Sequence, residues 1–255
     1  MFYDSLNPVM FTLFGFSVHY YGLMYILGIL LSYYFISLQR KQLKLSKEQV
    51  SDLIFYLVLG LVVGGRLGYF LFYDLSSLVQ APLQLFKVWQ GGMSFHGGFA
   101  IALLFAWLYA KKHKLRFLKL ADVFIVPVPV ALALGRIGNF INGELYGIRT
   151  SLPWGFFFKD RWGNYESFAR HPSQLYEVIK NLLIFASLLF LRKHKHKEGF
   201  LLFAFMPLYG CLRFLVEFVR SPDFSVVYLG VTMGQWLSIP MILIGAYGVA
   251  KTWKK

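Results

Sequence analysis

The sequence holds a single cysteine, Cys211, in 255 residues. A lone thiol excludes an internal disulfide and any thiolate metal cluster. Acidic residues are also scarce: 12 Asp and Glu stand against 26 Lys and Arg, a formal net charge of +14. Charged residues of both signs make up only 15% of the chain, where soluble domains carry about a quarter. An ordinary soluble domain is therefore excluded. The opening residues, "MFYDSLNPVMF", lack a basic stretch, so no cleaved signal peptide is expected. Internal repeats and low-complexity tracts are absent. A basic excess is a common mark of nucleic-acid binding. Here the basic residues sit in short clusters between apolar runs, so no nucleic-acid partner is expected.

What the sequence does have is apolar surface. Hydrophobic residues make up 57% and aromatic residues 19%, and mean hydropathy is +0.55. The expected solvent is a lipid bilayer, in which a chain of this length forms one bundle of about six to eight helices at about 20 residues per span. Hydropathy marks seven spans, near Ser17–Leu38, Leu53–Tyr73, Phe95–Ala110, Leu120–Ile141, Ser173–Leu191, Phe200–Val219 and Gly234–Ala250. The third is short and has "WQGGMSFHGG" at its start, which makes it a candidate for a partly re-entrant segment.

Charge then orients the bundle. Most of the Lys and Arg residues lie in "RKQLKLSK", "KKHKLRFLK", "RKHKHK" and the tail "KTWKK", which follow the first, third, fifth and seventh spans. The opposite side carries Lys87, Arg149, Lys159, Arg161, Arg170 and Arg220. The positive-inside rule makes the clusters cytoplasmic. This predicts an all-α integral membrane protein, a bundle of seven transmembrane helices with the N-terminus out and the C-terminus in. Residues 1–255 are expected to form one transmembrane domain. The segment 142–171, rich in aromatic and turn residues, is expected to form a small extracytoplasmic cap.

Polar groups recur where lipid should exclude them. His19, Tyr20 and Tyr21 open the first span, Arg66 lies in "GGRLGY", and His96 in "SFHGGF". The fourth span ends in "LGRIGNFINGELYG", with Arg136, Asn139, Asn142 and Glu144, and the sixth carries Arg213, Glu217 and Arg220. An arginine at mid-span costs roughly 2.5–3.5 kcal/mol on insertion scales, so intramembrane ionisable groups are functional candidates by default. Each also has a bland reading. Arg213 and Glu217 are spaced to pair along one helix face. Arg66 has Asp52 and Asp74 as candidate counter-charges, or reaches the interface by snorkelling. The flanking glycines serve helix packing or close approach of backbone to a ligand. Tyr20 and Tyr21 suit a membrane interface, and Cys211 suits packing. As a set the groups are harder to dismiss. Arginines present forked donors matched to phosphate, and His96 is the natural side chain to exchange a proton near neutral pH. The residues alone imply a polar, phosphate-friendly interior and do not reach a reaction. No metal ligand set and no cofactor motif is present.

An anion or lipid transporter or channel with an arginine-lined interior is the rival from another class. Many transporters carry internal repeats, which this chain lacks. Another membrane acyltransferase is a weaker rival, because no His-x4-Asp pattern occurs.

"GRIGNFINGELYG" at Gly135–Gly147 closely resembles the signature of bacterial prolipoprotein diacylglyceryl transferases. The resemblance extends in order through "HYYGLMY", "GGRLGY", "GGMSFHGG", "RHPSQLYE" at Arg170–Glu177 and "YGCLRFLVEFVR" at Tyr209–Arg220. It implies a seven-helix body with an external cap in the bacterial cell membrane. It also implies transfer of the diacylglyceryl group of phosphatidylglycerol to the lipobox cysteine thiol of a prolipoprotein, next to its signal helix. A thioether forms and glycerol phosphate leaves. The expected catalytic residues are His96 as base, Arg136 and Arg213 as phosphate donors, and Tyr21 in support. Expected substrate-binding residues are Arg136, Asn139, Glu144, Gly147, Arg66 and Glu217. Glu144 is expected to hold Arg136 or to orient a polar group, and Glu217 to do the same for Arg213; neither a metal nor another cofactor is expected.

Overall fold

The computed structural model describes residues 2–3, 6–13, 15–88, 91–160, 163–221, 227–228 and 230–253, with the side chains of residues 3, 72, 73, 95, 96, 227, 228 and 233 outside the described set. Helices dominate. In chain order they are α1 (Tyr20–Leu43), α2 (Lys47–Tyr73), α3 (Leu75–Gln80), α4 (Phe95–Lys112), α5 (Phe117–Ile125), α6 (Val128–Ile141), α7 (Ser173–Leu191), α8 (Phe200–Glu217) and α9 (Met233–Thr252). The strands are short: β1 (Phe2–Tyr3), β2 (Val9–Leu13), β3 (Phe16–His19), β4 (Phe156–Phe157), β5 (Val227–Tyr228) and β6 (Val231–Thr232). β1 pairs in parallel with β4, while β2–β3 and β5–β6 are antiparallel.

Among the described residues, four helical stretches are long and apolar enough to cross a membrane: Tyr20–Leu43, Lys47–Leu71, Ser173–Leu191 and Phe200–Glu217. α5 and α6 together make a fifth, bent by 41°. The chain is a multi-pass membrane protein of mostly helical fold. α4 and α9 fall on the expected third and seventh spans, but their described residues do not join those five on length and apolarity. Where one continuous fourth span is expected, the helix breaks at Val126–Pro127. Pro127 and Pro129 lack the N–H that a helix interior requires and cannot continue its ladder.

The chain divides into two compact units, Tyr33–Leu120 and the combination of Met1–Ser32 with Ala121–Lys255. In the first, α2 begins at a capping box, where Ser46 and Gln49 exchange side-chain and backbone hydrogen bonds. The glycines flanking Arg66 have a packing use. A Cβ on Gly64 would strike the Gly97 carbonyl, and one on Gly68 would lie 2.7 Å from the Gly97 Cα. Small residues spaced by four let α2 and α4 approach backbone to backbone.

In the second unit α6 packs on α7, α7 on α8 and α8 on α9. Val126, Ile184, Leu188, Phe200, Leu201, Ala204 and Phe205 form the buried apolar core. The start of α8 is held from α5: the Asp122 carboxylate accepts from the Gly199 N–H at 2.7 Å and from the Leu202 N–H at 2.9 Å. Asp122 is buried, so these two donors have no water to fall back on. Asp122→Ala is expected to destabilise the folded protein by about 1–2 kcal/mol, read as a lower midpoint of thermal unfolding in detergent. Asp122→Asn, which keeps an acceptor, should lose less.

Candidate active site

The polar groups that sequence places in separate spans meet on three helices of the second unit. α7 supplies Glu177, buried to 4% side-chain exposure. The Arg213 Nη1 of α8 lies 2.5 Å from Glu177 Oε1, and Lys180 Nζ, one turn along α7, lies 2.6 Å from Oε2. The Arg136 Nε of α6 stands 3.7 Å from the same Oε2, outside hydrogen-bond reach. One carboxylate is thus ringed by three cations. A carboxylate withdrawn from water requires such partners, because burying it alone would cost far more than its pairing returns.

Arg213 spans two carboxylates. Its Nη2 meets Glu217 Oε2 at 2.5 Å, the pairing along one helix face that the i,i+4 spacing allows, and Arg220 Nη1 lies 3.9 Å from the same Glu217 oxygen. Glu217 is buried and rests on Gly234, where a Cβ would come within 2.8 Å of the carboxylate carbon. Burial, reinforced by the positive charge of Arg213 and Arg136, pulls the Arg220 guanidinium below its ordinary value. The site is crowded with cations.

Arg136 is held from its other side. Its Nη1 donates to Asn139 Oδ1 at 3.3 Å, and Asn139 Nδ2 donates to Glu144 Oε1 at 2.8 Å. Asn142 Nδ2 donates to the same Glu144 oxygen at 3.2 Å. Of the two expectations for Glu144, the geometry shows the second: it orients a polar group, Asn139, which in turn bonds Arg136. The Tyr21 ring lies against Gly138, at which a Cβ would come within 2.8 Å of it, and its hydroxyl is 2.9 Å from that of Tyr25.

The turn after α6 carries strain. Gly143 takes φ 65° and Leu145 takes φ 59°, a left-handed conformation that costs a bulky side chain. α7 over-determines it. Gln174 Nε2 donates to the Glu144 carbonyl at 2.7 Å and Ser173 Oγ to the Leu145 carbonyl at 2.9 Å. Gly147 then threads between chain segments. Its N–H donates to the His171 carbonyl at 2.8 Å, and a Cβ there would collide with the Val219 carbonyl. Gly147 is required by space. Further along, Trp154 Nε1 donates to the Tyr176 hydroxyl at 2.8 Å, and that hydroxyl lies 3.1 Å from His171 Nδ1. Burial lowers the His171 pKa, because the charged ring is disfavoured away from water.

Arg136, Arg213, Tyr21, Asn139, Glu144, Gly147 and Glu217 all belong to this unit. Arg66 and His96 belong to the other. Arg66 meets neither Asp52 nor Asp74. Its Nε donates to the Leu85 carbonyl at 3.2 Å, its Nη1 to the carbonyls of Gly91 and, at 3.1 Å, Gly92, and its Nη2 to that of Gln84. Four main-chain acceptors and the Phe70 ring, 4.7 Å away, satisfy this buried arginine. His96 is the second residue of α4, and its side chain lies outside the described residues. Glu177 and Lys180 are the site residues that sequence reasoning leaves unassigned. Their signal is a lone acid and a lone base, three apart, in the apolar run "SQLYEVIKNLLIFASLLFL". No group of three or more His, Cys, Asp or Glu suited to a metal occurs among the described residues.

A family profile described as prolipoprotein diacylglyceryl transferase matches residues 8–251. A protein of Geobacter sulfurreducens named phosphatidylglycerol–prolipoprotein diacylglyceryl transferase is 44% identical over 250 residues, 96% of this chain and 95% of the relative. A Coxiella burnetii protein of the same name is 42% identical over 256 residues, covering 98% and 96%. One from Pseudomonas savastanoi pv. phaseolicola is 43% identical over 261 residues, covering 99% and 96%.

Proposed function

The chain belongs to the prolipoprotein diacylglyceryl transferase family, and we propose from that premise how its own residues perform the transfer. It moves a diacylglyceryl group from phosphatidylglycerol to a prolipoprotein. The acceptor is the thiol of the lipobox cysteine, presented beside the signal helix. A cysteine thiol has a pKa near 8.5 and its thiolate is the nucleophile. The sulfur attacks the glycerol carbon that bears the phosphate. An S–C bond forms, the C–O bond to phosphate breaks, the thiol proton passes to His96, and glycerol phosphate departs with the bonding electrons.

The observation that carries this reading is the cluster of Arg136 and Arg213 around buried Glu177. The phosphate gains negative charge as its ester bond breaks, so donors fixed beforehand stabilise the transition state more than the ground state. Asn139 and Tyr21 are supporting donors beside the two arginines. Glu144 orients it through Asn139, and Glu217 orients Arg213. Gly147 lets the turn pass close to the site, and Arg66 acts on substrate only through the loop it pins.

The topology follows the charge clusters. Seven spans, formed by α1, α2, α4, the bent α5–α6 pair, α7, α8 and α9, put the N-terminus outside and the C-terminus in the cytoplasm of a bacterial cell. The segment 142–171 caps the extracytoplasmic side, where a secreted prolipoprotein emerges. All of 1–255 acts as one catalytic domain.

Purified protein in detergent, incubated with phosphatidylglycerol and a lipobox peptide, should yield a peptide heavier by one diacylglyceryl group together with free glycerol phosphate. An unchanged peptide, from folded protein that binds the lipid, would overturn this reading in favour of transport. The nucleophile belongs to the substrate, and Cys211 is exposed on the chain's surface. Cys211→Ser is therefore expected to keep its transfer rate within about twofold, since surface substitutions are usually near neutral. Loss of activity in folded C211S would assign the thiol a role that direct transfer does not give it.

A further inference from the structure

Lys180 is buried to 3% exposure in the middle of α7, and the transfer mechanism above does not use it. Its Nζ lies between the Glu177 carboxylate at 2.6 Å and the face of the Tyr209 ring, 4.1 Å from the centroid. A lysine fully withdrawn from water is costly to keep charged, and a leucine would pack as well in an apolar helix. A structural pair to Glu177 alone does not explain it, because Arg213 already meets that carboxylate at 2.5 Å.

The geometry of one oxygen does. Lys180 and Arg136 both face Glu177 Oε2, at 2.6 Å and 3.7 Å. Both cations are drawn to that oxygen, and Lys180 holds the close position. Arg136 is left outside hydrogen-bond reach of Glu177, with 24% side-chain exposure against 11% for Arg213. Without the ammonium, Oε2 loses its close partner and draws more strongly on Arg136, whose fork favours a carboxylate. We propose that Lys180 is a positioning residue that satisfies Glu177 and so keeps Arg136 available to the phosphate of the lipid donor.

Charge balance supports this. Arg136, Lys180, Arg213 and Arg220 stand within ion-pair range of Glu177 and Glu217, an excess of two positive charges around those carboxylates, with Glu144 set back from Arg136 behind Asn139. The phosphodiester of the bound lipid carries one negative charge. The phosphate monoester that leaves carries about −1.5 to −2 at neutral pH. The excess matches the product of bond breaking, and Lys180 supplies half of it. The effect is expected mainly where the charge develops.

This inference rests on the transferase reading, so the test runs wild type beside each variant in the phosphatidylglycerol and lipobox-peptide assay. Lys180→Met keeps the length and loses the charge. Its kcat/KM for the lipid is expected to fall at least tenfold, within the range of about a hundredfold that ångström-scale misplacement of a reacting group costs. Lys180→Arg should retain most of the rate. The decisive variant is Lys180→Met with Glu177→Gln. Removing the negative charge that draws Arg136 away should raise kcat/KM above that of K180M alone. A merely structural Lys180 predicts the opposite, since the double variant loses a further buried contact. Weaker inhibition by glycerol phosphate in K180M, partly restored in the double variant, is the accompanying binding signature. Wild-type kcat/KM in folded K180M, or a double variant no better than K180M, overturns the inference while the transferase reading stands. Absence of product from wild type removes the transferase reading itself. Where K180M does not accumulate as folded protein, Lys180→Gln, which keeps a donor to Glu177 without charge, takes its place in the same comparison.

Discussion

Arg136→Ala is expected to lower diacylglyceryl transfer by on the order of 10²–10³-fold, the scale on which removing one preorganised donor to a developing anion acts. The loss should fall on kcat as well as on KM, because the phosphate is more negative after the C–O bond has broken than before. Folding should survive the change better than at most buried ions. Arg136 is the most exposed cation of the cluster, at 24%, and its nearest carboxylate oxygen is 3.7 Å away. Glu177 keeps Lys180 and Arg213 when Arg136 is gone. The measurement is the initial rate of peptide mass gain at several lipid concentrations, with a melting curve on the same preparation. A folded R136A with a near-normal rate would remove Arg136 from the catalytic set.

Glu177→Ala should act in the other way, on stability first. The carboxylate is the shared counter-charge of Arg213 and Lys180, both buried, and lies within reach of Arg136's field. Its removal leaves Lys180 with no carboxylate in contact and Arg213 with Glu217 alone. Breaking a buried ion cluster by deleting one partner costs about 3–5 kcal/mol, most of it from charge left unpaired. The expected result is a marked fall in the unfolding midpoint and in the yield of monodisperse protein. Glu177→Gln, which retains one oxygen for Arg213, should lie between E177A and wild type. Equal stability of E177A and wild type would mean that water or lipid phosphate satisfies these cations without Glu177.

The two expectations separate the cluster into parts. Under the proposed mechanism Arg136 is the loosely held donor, and Glu177 is the fixed point around which the donors are set. Lys180 links them. The strained turn at Gly143 and Leu145, clamped by Ser173 and Gln174 of α7, serves the same end from the main chain. The helix that carries Glu177 also fixes the loop that carries Glu144.

By itself the sequence determined everything that depends on composition or on short spacing. Sparse charge and abundant apolar residues specify lipid as the solvent, because that choice is a sum over side chains and needs no fold. The expectation that the basic clusters share one side rests on the same kind of sum. Arg213 and Glu217 were legible as partners because i,i+4 residues on a helix are neighbours whatever surrounds them. The motifs carried the family resemblance. Tertiary structure alone decided the rest. Glu177 becomes the hub of the site only because α6 and α8 lie on either side of α7, and no spacing within one segment encodes a partner on another. The glycines at 64 and 68 turned out to admit α4, since what meets a missing Cβ is a property of packing. Arg66 found main-chain carbonyls instead of Asp52 or Asp74, because loop carbonyls have no side-chain signature to read. Counter-charges across helices, close backbone approach and the approach of both Lys180 and Arg136 to one oxygen are distances, and distances exist only in the folded chain.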